Sequence, residues 1–125
     1  MKILAIDYGR AKVGLAVGET ETQMTEPVAV VKTSQSIAQV LRLVKEAGIE
    51  KIVVGLPGGI LDPEIKKYGK LLSKETKLPI DFIDETLSTQ DAQKFLLETK
   101  KKRKFRQEME DAFAAAIMLE FYLRR

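Results

Sequence analysis

Lys51-Ile-Val-Val-Gly55 is the segment that most constrains the fold. It is an apolar, β-branched run without polar alternation, the pattern of a strand covered on both faces. On its N-terminal side, Ile37, Val40, Leu41 and Val44 recur at helical spacing within Ser36–Ala47, and Gly48 supplies a stop. On its C-terminal side, Asp62-Pro63 reads as an N-cap with proline at the first helical position. Ile65, Tyr68, Leu71 and Leu72 then form the inward stripe of a second helix. A buried strand between two amphipathic helices is the unit of a layered α/β domain.

The remaining segments extend this unit. Lys2–Asp7 reads as a buried strand ending in a carboxylate, Tyr8-Gly9-Arg10 as a turn, and Val13–Val17 as a second strand, hairpin-paired to the first. Pro27–Val31 is a third strand. Pro79 ends the second helical run, and Ile80–Ile83 forms a strand leading into Asp84-Glu85. Ser88-Thr-Gln-Asp91 has the form of a capping box and opens a helix with Ala92, Phe95 and Leu96 inward. The last helix is expected from about Gln107 to Leu123. The order β-β-β-α-β-α-β-α-α predicts a three-layer α/β domain, a mixed five-stranded sheet with helices on both faces, and one domain over residues 1–125.

Composition narrows the chemistry. The 125 residues include no cysteine and no histidine, so disulfides, thiolate or imidazole metal sites, thiol nucleophiles and Ser-His-Asp triads are excluded. Catalysis would rest on Asp, Glu, Lys, Arg, Tyr, Ser or Thr, or on a metal held by oxygen. Met1–Ala5 lacks the form of a signal peptide and no stretch reaches membrane-span length, so a cytoplasmic chain without membrane contact is expected. The net charge of +3 is unevenly placed: residues 94–125 hold 9 basic and 5 acidic residues. Lys100, Lys101, Lys102, Arg103, Lys104 and Arg106 carry the excess, as a polyanion contact or as a solvated loop.

Three carboxylates stand out by position: Asp7 at the end of the first strand, Glu85 after the last, and Asp111 beside Ala112-Phe-Ala-Ala-Ala116. Ligands of α/β sheets gather where strands end at one edge. A carboxylate cluster without histidine suits hard divalent ions, because clustered negative charge needs a compensating cation. Two such ions about 3.5–4 Å apart can activate water and stabilise a leaving oxygen of a phosphodiester. The alanines would let the last helix approach a sheet closely, or the helix is an ordinary amphipathic one with Asp111 in its exposed first turns, favoured by the dipole. Gly9 and Gly14 suit either a tight turn or close approach of a phosphate. Arg10 and Lys12, next to Asp7, are placed to hold phosphate or to lie as surface charge. Ser88 and Thr89 can donate to phosphate, or Ser88 can cap its helix. Gly55-Leu-Pro-Gly-Gly59 lacks the Gly-Lys-Ser/Thr ending of a P-loop.

Together, Ile6-Asp-Tyr-Gly-Arg-Ala-Lys-Val-Gly-Leu-Ala-Val17, Val53-Val-Gly-Leu-Pro57, Asp84-Glu-Thr-Leu-Ser-Thr89 and Asp111-Ala-Phe-Ala-Ala-Ala-Ile-Met-Leu119 resemble the YqgF (RuvX) family of Holliday junction resolvase-like proteins and pre-16S ribosomal RNA nucleases. The resemblance implies a ribonuclease-H-like fold, an acidic site at Asp7, Glu85 and Asp111 and a basic stretch at Lys100–Arg106. Thr86 stands where the family usually has Arg, Gly58–Leu61 replaces a polar loop, and Gly18-Glu19 replaces a common Ser-Asp pair. The expected activity is Mg²⁺- or Mn²⁺-dependent cleavage, with a two-metal site at the three acids. Arg10, Lys12, Ser88, Thr89 and the basic stretch would hold the nucleic acid backbone. Processing of the pre-16S rRNA 5′ end is the favoured reading. The alternatives are junction resolution on branched DNA, a non-catalytic nucleic-acid-binding module, and half of a sugar-kinase- or actin-like phosphotransferase. The oligomeric state is left open.

Overall fold

Lys2–Asp7 (β1) and Lys12–Glu19 (β2) form an antiparallel hairpin, with Asp7 directly opposite Gly14. The structure is a computed structural model that describes residues 1–84 and 103–124, with side chains of the last helix described from Glu108 onward. Thr25–Lys32 (β3) pairs antiparallel with β2, while Lys51–Leu56 (β4) and Ile80–Asp84 (β5) add parallel beyond β1. The sheet order is β3-β2-β1-β4-β5. Three helices are described: Thr33–Ala47 (α1), Asp62–Thr76 (α2) and Arg103–Arg124 (α3). The helix expected from Ser88, with Ala92, Phe95 and Leu96, lies outside the described residues.

Strand alternation divides the core into two layers. Leu4, Ile6, Val13, Leu15, Ile52 and Val54 face α1 and α2, where Val40, Ile65, Tyr68 and Leu72 meet them. Ile3, Ala5, Ala16 and Val53 face α3 through Ala115, Ala116, Met118 and Leu119. Helices therefore cover both faces, as the β4 pattern requires; Ile52, Val53 and Val54 are fully buried. Each such side chain contributes roughly 1.5–3 kcal/mol by leaving water. Pro27 is tolerated because β3 is an edge strand.

Several local expectations are corrected. Asp62 is not the N-cap of α2; that residue is Leu61, and the Asp62 carboxylate accepts from the Gly58 amide at 3.1 Å instead. Leu71 does not join the inward stripe but is 44% exposed. Its place is taken by buried Gly69, which admits the Phe82 ring to the α2 backbone. The helix before Ser36 already begins at Thr33, and the last helix begins at Arg103 rather than Gln107. Lysine and arginine are strong helix formers, and the unfavourable dipole at an N-terminus is too small to stop them. Gly48 does end α1, at φ 68°.

At the end of the sheet away from the β1–β2 turn, the Tyr122 hydroxyl donates to Asp81 Oδ2 at 2.6 Å. Lys51 Nζ lies 2.8 Å from the same oxygen and 5.3 Å from the Tyr122 ring centre. These contacts fasten the C-terminal part of α3 to β4 and β5. Tyr122→Phe keeps the ring and removes the donor, so about 1 kcal/mol of stability should be lost in urea unfolding, with the slope of the transition unchanged.

Candidate active site

Because β1, β4 and β5 run parallel, their carboxyl ends open on one edge of the sheet. Asp7 ends β1 and Asp84 ends β5, with β4 between them. Alternation puts Asp7 on the side of Ile3 and Ala5, the side covered by α3. Asp111 comes to the same place through a close backbone contact. A Cβ built on Gly14 would overlap the Asp111 carbonyl and the Ala112 amide nitrogen. The α3 backbone thus rests on β2 at the position that pairs with Asp7. Asp7 and Asp111, with Tyr8, Gly9, Arg10, Ala11 and Lys12, line one cleft of about 270 Å³.

The glycines divide the two roles expected of them. Gly9 serves the turn, since a Cβ there would lie 2.7 Å from the Lys12 carbonyl. Gly14 is in mid-strand, and neither a turn nor a phosphate explains it; it makes room for a helix. The turn is held from below by Thr33, whose hydroxyl donates to the Gly9 carbonyl at 2.6 Å and whose amide donates to Ala11 at 3.1 Å. Lys12 Nζ lies 3.7 Å from Asp111 Oδ2. Arg10 Nε lies 3.3 Å from Glu64 Oε1, and the Tyr8 hydroxyl donates to Glu64 Oε2 at 2.7 Å. Burial, reinforced by the Glu64 carboxylate, pushes the Tyr8 phenol up to about 12.

All of residues 1–125 match the family described as RuvX, Holliday junction resolvase. The chain belongs to the RuvX family. A relative from Protochlamydia amoebophila, named "Putative pre-16S rRNA nuclease", is 33% identical over 138 residues, spanning 98% of this chain and 92% of its own. Both descriptions name nucleases, and nuclease chemistry, a hydrolase activity, is what this RuvX chain has in common with them. Among solved structures, T. thermophilus RuvC in complex with a Holliday junction substrate superposes with a TM-score of 0.61 at 19% identity, covering 99% of this chain and 95% of that one. The fowlpox virus Holliday junction resolvase gives 0.65 at 11% identity, covering 99% of each chain. These likenesses show the ribonuclease-H-like resolvase fold.

Of the residues singled out in the RuvX sequence, the structure brings together Asp7, Asp111, Arg10 and Lys12. Glu85 directly follows Asp84 in sequence and lies outside the described residues, as do Ser88, Thr89, Lys100, Lys101 and Lys102. Arg103, Lys104 and Arg106 fall in the first turns of α3, and their side chains are outside the description. Among the described residues no three acids form a metal-binding group, and no helix is long and apolar enough to cross a membrane. The donors that do meet are oxygen only, which suits a hard cation. The Lys12 ammonium is paired with Asp111 at the cleft.

Sequence reasoning missed Tyr8, Thr33 and Glu64. Thr33 could have been found as a hydroxyl residue at a helix start. Glu64 carries no local signal, because its partners lie on a hairpin more than fifty residues away.

Proposed function

We propose that this RuvX chain cleaves structured nucleic acid with the aid of a divalent cation, Mg²⁺ or Mn²⁺, and that its substrate is the 5′ end of pre-16S rRNA. Asp7, Glu85 and Asp111 hold the metal. The observation that carries this reading is the meeting of Asp7 and Asp111, from opposite ends of the chain, on one cleft. Glu85 is proposed as the third acid because in sequence it follows directly on Asp84, the carboxyl end of β5. The bound cation supplies an activated water and neutralises charge at the phosphate. Asp7 and Asp111 offer a cation two carboxylates in a cleft that Arg10 and Lys12 also line. Lys12 offsets part of that charge when none is bound. Arg10 and Lys12 hold a backbone phosphate at the cleft, and the basic stretch from Lys100 to Arg106, with Ser88 and Thr89, extends the grip along the strand. The relatives' names support the rRNA substrate, and a cytoplasmic location goes with that reading.

The test is a purified chain incubated with a transcript spanning the pre-16S 5′ end and, in parallel, with a four-way DNA junction, in Mg²⁺, Mn²⁺ or chelator. Metal-dependent cuts in the transcript alone are expected. Cuts confined to the junction would favour the second reading, junction resolution, for which the family description and the RuvC likeness speak. Absence of cleavage on both would leave a binding module.

The basic stretch has its own test. Replacing two of its lysines should flatten the dependence of log affinity on log salt by about 1.4–1.8 units, from roughly 0.7–0.9 per phosphate neutralised. An unchanged slope in a filter-binding titration would return those lysines to bulk solvent.

A further inference from the structure

Glu64 stands in the first turn of α2 and reaches across to the β1–β2 turn. One carboxylate oxygen accepts from the Tyr8 hydroxyl at 2.7 Å, and Arg10 Nε lies 3.3 and 3.4 Å from the two oxygens. The carboxylate is itself well fixed. The Tyr8 ring packs on that of Tyr68, with centroids 4.8 Å apart, and the Tyr68 hydroxyl bonds with fully buried Ser36 at 2.6 Å. A line of contacts therefore runs from the core between α1 and α2 to the Arg10 guanidinium at the cleft.

We propose that Glu64 is a positioning residue for substrate: it holds Arg10 by Nε so that the terminal amino groups of the guanidinium meet a phosphate of the bound strand. The inference rests on the nuclease reading of the same cleft. Stability does not account for the pair. Arg10 and Glu64 side chains are 69% and 38% exposed, and exposed ion pairs contribute little to folding. Nor does affinity for a polyanion call for an acid here, because a bare carboxylate repels phosphate. Besides accepting from the Tyr8 hydroxyl, it acts at the cleft through what it does to Arg10. An arginine loses much rotamer freedom when it takes hold of a phosphate, and a side chain already held in place loses less. Bonding through Nε leaves the planar fork of terminal donors that matches phosphate oxygens.

The two possibilities differ in sign. If Glu64 is only a surface acid, Glu64→Gln removes a negative charge and RNA binding tightens or stays the same. If Glu64 positions Arg10, binding of the pre-16S 5′ transcript weakens roughly 2–10-fold, while cleavage of bound transcript is nearly unchanged, so the loss falls in KM rather than kcat. The same change in an Arg10→Ala background should then produce no weakening, since nothing is left to position. Tighter or equal binding by Glu64→Gln, or equal weakening in the Arg10→Ala background, would each overturn the assignment. If the unaltered chain binds neither transcript nor junction, the nuclease reading fails first and the role of Glu64 falls with it.

Discussion

Gly14→Ala should lose most of its cleavage activity, on the order of 100-fold, and about 1–3 kcal/mol of stability. The added methyl has no flexible neighbour to push aside. It meets the Asp111 carbonyl and the Ala112 amide, both backbone atoms of α3. The helix must lift from β2, and overpacking of a close contact costs about 1–3 kcal/mol. The same displacement carries Asp111 away from Asp7, and misplacement of a catalytic group by about 1 Å can cost about 100-fold in rate. Gly18→Ala is the natural control. Its methyl meets only side-chain atoms, of Leu119 and Thr25, which can shift more readily than helix backbone, so the loss of stability should be smaller and the activity largely kept. Thermal unfolding and cleavage of the pre-16S transcript, measured on both variants, check the pair. Equal effects at the two glycines would mean that the seating of α3 at Gly14 does not set the site.

Asp7→Asn is expected to fold and bind normally and to cut about 1,000-fold more slowly or not at all, as when a preorganised charge is removed from a reaction centre. Asparagine matches the shape of aspartate but lacks the charge that would hold a hard cation. Removing one negative charge from the cleft should leave RNA affinity equal or slightly higher. Mn²⁺ binding, read by the broadening of its paramagnetic resonance signal, should weaken in parallel with activity. Retained cleavage by Asp7→Asn would move the reaction centre away from the β1 edge. Identical metal binding in both proteins would deny Asp7 its role as a ligand.

Much of the architecture was legible in the chain because its signals are local. The apolar run of β4 predicted cover on both faces, and the structure has it. The hairpin of β1 and β2 and the stop at Gly48 were also readable from neighbours within a few residues, whereas the alanines of the last helix left close seating as one of two readings, and packing chose it. Errors arose where tertiary contact overrode a local preference. Asp62 has the composition of a cap but bonds Gly58, and Leu71 fits the apolar period but faces solvent while Phe82 fills the groove at Gly69.

For the site, the amino-acid sequence by itself determined the kind of chemistry. A chain without histidine or cysteine, with acids after two strands and in the last helix, can offer a hard cation only oxygen. Tertiary structure decided which acid meets which. Strand order put β1 and β5 on either side of β4 with one shared edge, and a single missing side chain at Gly14 let α3 carry Asp111 to Asp7. It also tied Arg10 to Glu64, a pairing without any trace in local pattern. Periodicity records which face of an element is buried; the depth and register at which two distant elements meet are settled only when their side chains pack together.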